Sequence, residues 1–268
     1  MSMLAELLRV SPAMGSGAWV GPASGPAGKR AFGGLLMAQS LDAACREVDP
    51  AKRPTVLHTQ FLRGGEAGEP AEYRVVPVYD GRTAASRRVE ASQHGRLLTT
   101  TTVTFSTTLP GPSHAKTVTL PEDPGSVPMT GPPGPAPVLP AEVDIRVVDD
   151  RRPDGELERR MWWRITAELP DDPLLHNMIA VYVSDVYGID PVLRVHGHSM
   201  AARTLRTGTT DFSIWFHHPI RADRWNLLGA TSPAAGGGRG VMTAEMIGAD
   251  RAVAATLVQE GLVAERDG

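Results

Sequence analysis

The sequence predicts an α+β fold in which two tandem antiparallel sheets are each wrapped around a central helix. Three observations predict it. A helix-then-strands pattern occurs twice, hairpin-length turns separate the strands in each occurrence, and landmarks of the two occurrences keep a constant spacing. Connections this short exclude a parallel βαβ pattern, which needs a crossover of about a dozen residues or more.

The 268 residues can bury a sizeable core, as one large domain or two modest ones. The opening MSMLAELLRV has helical apolar spacing but no basic n-region and no A-x-A site, so it reads as a short amphipathic helix rather than a leader. Phe32-Gly33-Gly34 introduces a helix over 34–47, GLLMAQSLDAACRE, and Pro50 closes it. Strands follow in TVLHTQFLR, AEYRVVPVYD, TAASRRVEASQH and LLTTTTVTF, with Asp80-Gly81 and His94-Gly95 as turns. Residues 107–142 hold GPSH, PEDPG and MTGPPGPAPVLP, too rich in Pro and Gly for one continuous element, and read as a linker. The pattern then repeats, with a helix over 173–188, PLLHNMIAVYVSDVYG, and strands in TTDFSIWFHHP, RWNLLGATS, RGVMTAEMIG and RAVAATLVQEG. Phe61 and Phe216 stand 155 positions apart, as do the turns at 94–96 and 249–251. The expected units are therefore 1–106 and 143–268. Met37, Ala38, Leu41, Ala43, Ala44 and Cys45 put small or apolar residues on most faces of the first helix, as a curled sheet around it requires.

The formal charge of −3 is spread along the chain with no basic stripe, so nucleic acid is not expected as a partner. A single cysteine allows no internal disulfide and no thiolate metal cage, which fits a cytoplasmic setting. No window approaches the ~18 consecutive apolar residues of a membrane span. The last residues, ERDG, match no lipidation signal.

FGG with LMAQSL, then HTQFLRGGEAGEP and YDGRTAASRRVEASQHGR, closely resembles the first half of the acyl-CoA thioesterase II family. LPDDPLLH, SDVYG, WFHHPIRADRW, SPAAGGGRG and VAATLVQEGL resemble its second half; the linker and residues 1–15 match little. The resemblance implies a double hotdog fold and hydrolysis of acyl-CoA, the expected substrate, to free acid and CoA. It also implies a catalytic Asp, Ser or Thr, and Gln. These fall on Asp185 in SDVYG, Thr209 in TTDFSIWFH, with Thr210 beside it, and Gln259 in QEG. The family usually has His where this chain has Phe212, which motivates an alternative, a non-catalytic acyl-CoA binding protein on the same fold. A hotdog hydratase is weaker, for want of an Asp-His pair.

Thioester hydrolysis needs a positioned water, a base for its proton and donors for the developing oxyanion. On a wheel of about 100° per residue, Leu175, Ile179, Tyr182 and Val186 form an apolar stripe with Asp185 on its flank. Partial burial there would raise its pKa; read alone, it is an ordinary Asp near a helix end. Gln259 continues the apolar strand face of Val253, Ala255 and Leu257, where an amide needs partners. Thr209 shares by alternation the face of Asp211, Ser213 and Trp215. Helix-start amides suit an oxyanion, and both Gly33-Gly34 and Pro173–Leu175 qualify. In the first unit Thr104 and Pro54-Thr55 stand where Gln259 and Thr209 stand in the second.

Arg87, Arg88 and Arg239 are candidates for CoA phosphates, each also suited to a solvated strand edge. VLRVHGHSMAA imitates a nucleophile elbow at Ser199, but only His217 and His218 follow and no parallel sheet supports it. His196 and His198 lack a third ligand at useful spacing, and no metal or other cofactor is expected. GGGRG at 236–240 reads as a glycine hairpin rather than a phosphate cradle. Cys45 reads as inert core. Paired units leave sheet edges or faces for further assembly, so a homo-oligomer is expected.

Overall fold

The computed structural model describes residues 2–15, 17–120, 122–130, 140–151 and 156–266, with backbone alone at 150 and 151. The first half contains α1 (Met3–Leu8), β1 (Ser11–Pro12), β2 (Trp19–Gly21), α2 (Gly33–Cys45), β3 (Arg53–Phe61), β4 (Ala71–Asp80), β5 (Ala84–Gln93) and β6 (Arg96–Ser106). The second contains β7 (Val143–Arg151), β8 (Leu157–Ile165), α3 (Pro173–Ser184), α4 (Asp190–Val195), β9 (Arg206–Phe216), β10 (Asn226–Gly236), β11 (Arg239–Ile247) and β12 (Val253–Ala264). No helix among the described residues is long and apolar enough to cross a membrane.

The expected pair of sheets is a single sheet. Its order is β1-β2-β4-β5-β6-β3-β9-β12-β11-β10-β8-β7, which reads alike from either end when β1–β6 are matched with β7–β12. The join is the antiparallel pairing of β3 with β9, where His58 faces Ser213, 155 residues on. Each half would otherwise end in an unpaired edge strand, and pairing the two edges satisfies both rows of backbone groups.

Both central helices are enclosed. Residues 34–44 of α2 are buried without interruption, and α3 is buried almost all round. They pack side by side in one core that includes the inward residues Val89, Val103, Ile214 and Leu257 of the sheet. Gly34 permits the close approach, since a Cβ there would lie 2.6 Å from the Tyr182 carbonyl oxygen.

Both helices end earlier than the sequence suggests. α3 stops at Ser184, and Asp185, expected on its flank, is its C-cap (φ −90°, ψ −1°). The chain then turns through Gly188 at φ +36°, a left-handed value that favours glycine, into α4.

Strands ahead of each helix escape the sequence pattern. β1 and β2 are two and three residues long, and β8 carries Arg159 and Arg160 inward or under cover. Those arginines are buried against Asp190 and Asp149, and against Glu122. The linker segment is not detached: Val118 N–H donates to Arg251, Glu122 accepts from Trp162 Nε1, and Val127 joins Trp162, Leu227, Ile247 and Val253 in a second small apolar cluster. Most of its MTGPPGPAPVLP stretch lies outside the described residues. Gly237 and Gly238, both at positive φ, make the two-residue turn of the β10–β11 hairpin.

Candidate active site

Asp185, Thr209 and Gln259 come from three elements and meet. Gln259 is fully buried on β12, and its Nε2 donates to Asp185 Oδ1 at 3.2 Å and to Thr209 Oγ1 at 2.6 Å. Thr209 Oγ1 donates in turn to Asp185 Oδ1 at 3.4 Å. Gln259 Oε1 is buried and has no hydrogen-bond partner among the described residues. Two acceptors therefore hold the amide nitrogen, and its oxygen remains available.

A β-bulge decides between Thr209 and Thr210. Alternation from the fully buried Phe212 would turn Thr210 inward and put Thr209 on the outer face with Asp211. The β9–β12 register instead shifts between Glu260 and Gly261, pairing Asp211 with Glu260 and Thr209 with Gly261, so that Thr210 is the extra residue. Thr209 consequently points in. Thr210 points out, where its hydroxyl donates to Glu260 Oε1 at 2.8 Å.

The first half supplies the other wall. The Asp185 carboxylate lies against the start of α2, where a Cβ on Gly33 would lie 2.8 Å from Asp185 Oδ2 and 2.9 Å from the Phe61 ring. The N-cap of α2, Phe32, offers no side-chain acceptor, so the positive end of this helix faces the site uncapped. The α3 start, the other candidate, is closed by its N-cap Asp172, whose carboxylate accepts from Leu174 N–H. The pair of glycines is thus the helix start beside the carboxylate.

Burial pushes the Asp185 carboxyl up to about 6; hydrogen bonds from Gln259 and Thr209, the nearby Gly34 amide and the charge of Arg30 only partly oppose it. Its side chain opens on a cavity of about 220 Å³ lined by Phe32, Gly33, Leu36, Phe61, Ile189 and Met200 among others. Phe212 is fully buried and does not line this cavity.

The corresponding place in the first half is differently built. Leu57 pairs with Val103 as Phe212 pairs with Gln259, so Val103, not Thr104, corresponds to Gln259. The turn 248–252 is one residue longer than its counterpart, which breaks the constant spacing. Pro54 takes the place of Thr209 beside an equivalent bulge. Arg9, just after α1, pairs with both Asp42 of α2 and Asp172 at the start of α3. Cys45 lies against this cluster, and burial pushes its thiol up to about 12.

Other candidates separate from the site. Arg88 lies exposed on β5 beside Glu90, on the face opposite the inward Arg87 and Val89, and Arg87 is buried against Asp80 and backbone carbonyls. Arg239 pairs with Glu260 and lines another depression with His196 and His198. Arg88 and Arg239 thus lie away from the cavity at Asp185, each beside a neighbouring carboxylate. Ser199 Oγ accepts from Ala202 N–H, while His217 bonds Thr256, so no nucleophile triad forms. Among the described residues no group of three His, Cys, Asp or Glu side chains could hold a metal ion.

A curled antiparallel sheet enclosing paired helices, with an Asp–Thr–Gln cluster at a helix start, places the molecule among hotdog-fold thioesterases. Two family models match, the acyl-CoA thioesterase N-terminal domain over residues 21–106 and the C-terminal domain over 116–263. The chain belongs to the acyl-CoA thioesterase II family. It is 31% identical to an acyl-CoA thioesterase II from Mycobacterium marinum, with TM-score 0.83 over 100% of this chain and 99% of that one. It is 28% identical to acyl-CoA thioesterase 2 of Haemophilus influenzae, covering 88% of each chain. A hot dog fold protein from Alicyclobacillus acidocaldarius, 20% identical, shares the fold at TM-score 0.78 over 100% of both chains.

Proposed function

We propose that this chain hydrolyses acyl-CoA thioesters to free acid and CoA, with Asp185 as general base on a water held by Thr209 and Gln259. The observation that carries the reading is a carboxylate pushed up to about 6 and wired by one buried amide to a hydroxyl, next to an uncapped helix start. A base near neutrality is mostly ionised at pH 7 yet still basic enough to take a proton. Water donating a hydrogen to Asp185 beside the Thr209 hydroxyl, both groups fixed by the Gln259 amide, would have its lone pair aimed into the cavity that Asp185 and Thr209 line. The thioester carbonyl, set against the Gly33-Gly34 helix start, would develop its negative charge where the helix dipole favours it. Collapse of the tetrahedral intermediate expels the CoA thiolate, and the proton on Asp185 passes to that sulfur.

The same reading takes the molecule as a double hotdog, units 1–106 and 143–268 joined by 107–142, and the mirrored strand order supports it. Release of free thiol from an acyl-CoA chain-length panel tests the function. Wild-type turnover that falls by about 10²–10⁴-fold in Asp185→Asn supports it. Absence of thiol release by the wild type, with acyl-CoA still bound, would favour the binding protein instead.

A further inference from the structure

The cavity at Asp185 shares Arg30, Phe32, Met200 and Thr207 with a larger neighbour of about 900 Å³. Its wall carries Lys29, Arg30, Arg203, Arg206 and Arg266 and no Asp or Glu. On a chain of net charge −3 such a wall departs from the average surface. Arginines elsewhere are answered by carboxylates, Arg159 by Asp190, Arg160 by Glu122 and Arg221 by Asp223. Lys29, Arg203 and Arg266 make no ion pair among the described residues. They arrive from separate places: Lys29 precedes α2, Arg203 precedes β9, and Arg266 follows β12. Both halves therefore contribute positive charge to one concavity. Leu193, Leu205 and Leu262 add apolar wall between the charges.

We propose that this chamber takes the nucleotide end of coenzyme A, its diphosphate and 3′-phosphate meeting Lys29, Arg203 and Arg266 while the apolar wall packs the adenine. The assignment rests on the thioesterase reading and names the residues that recognise the carrier. Unpaired cations around a phosphate make charge-assisted bonds without first breaking an internal pair. The pantetheine arm then leads past Arg30 and Phe32, the shared wall, to the thioester at Asp185. Such contacts lie far from the reacting carbon and bind ground state and transition state alike, so their loss raises KM and spares kcat.

The test compares one acyl group on CoA and on N-acetylcysteamine, the phosphate-free tip of the same arm, using the full chain. Lys29→Gln, Arg203→Gln and Arg266→Gln should each raise KM for acyl-CoA about three- to tenfold and leave kcat within about twofold. The N-acetylcysteamine thioester should be turned over by these variants as by wild type, and only the acyl-CoA KM should climb with salt. Equal losses on both thioesters, or an unchanged KM for acyl-CoA in the triple variant, overturn the assignment. If the wild type turns over neither thioester, the thioesterase reading fails; calorimetry with free CoA then still decides the chamber, since the triple variant must lose binding that the wild type shows.

Discussion

Asp185, the residue that ends α3, faces Gly33 at the N-terminus of α2 so closely that a Cβ on Gly33 would lie 2.8 Å from its Oδ2. The two halves thus meet at the site, and each half holds what the other lacks. The second half provides the acid, hydroxyl and amide; the first provides the helix start.

Gly33 should be intolerant of a side chain. Its Cβ would press on Asp185 Oδ2 and on the Phe61 ring, so Gly33→Ala should cut kcat/KM at least about tenfold by displacing the base. Near-UV circular dichroism and thiol release on the same sample check this: a native spectrum with lost turnover is expected.

The pH dependence follows from burial of Asp185. kcat/KM should fall below about pH 6 as the base is protonated, about tenfold per unit. Stability runs the other way. The folded-state value lies above the ordinary one near 3.9, so the contribution of Asp185 is full below that value, declines as pH rises towards about 6, and is level above. Denaturant melts between pH 4 and 7 should show this decline in wild type relative to Asp185→Asn.

Thr209 and Thr210 should separate cleanly. Thr209→Ala removes a hydroxyl bonded to both Gln259 and Asp185, and should cost about ten- to a hundredfold in kcat. Thr210→Ala removes an outward bond to Glu260 and should leave kcat within about twofold. Equal effects would mean that the bulge does not set the inward residue.

Arg159 should matter for stability. It is buried between Asp190 and Asp149 and stacks 5.0 Å from the Tyr187 ring, while Asp190 also accepts the Met200 N–H at 2.7 Å. Removing it leaves the buried Asp190 carboxylate to the half-exposed Arg194 alone, 3.3 Å away, so Arg159→Met should cost up to about 3 kcal/mol by chemical denaturation.

Alternation and turn residues made the strands β3–β6 and β9–β12 legible, because each has one apolar face and a Gly- or Asp-containing turn. β7 and β8 were not: the buried Arg159 and Arg160 of β8 become acceptable only when carboxylates distant in sequence close on them. The join at β3–β9 was equally hidden, since a strand edge looks alike in sequence whether it meets solvent or a partner. At the site, Asp185, Thr209 and Gln259 were reachable through family resemblance, whereas alternation alone sends Thr209 to the wrong face. The bulge at Thr210 corrects it, and no residue type announces that bulge. The cations near the site escaped notice because Lys29, Arg203 and Arg266 belong to loops and a strand end with no periodicity.

Asp185 is expected to activate water rather than to attack the thioester itself. A single turnover of acyl-CoA by excess wild-type protein in ¹⁸O water tests it most directly, with the oxygen content of the released acid read by mass spectrometry. Direct attack by water puts one ¹⁸O in the acid on the first turnover and leaves Asp185 unlabelled. An unlabelled acid together with ¹⁸O in the Asp185 carboxylate would mean an acyl-aspartyl anhydride and would rule out Asp185 as a base on water.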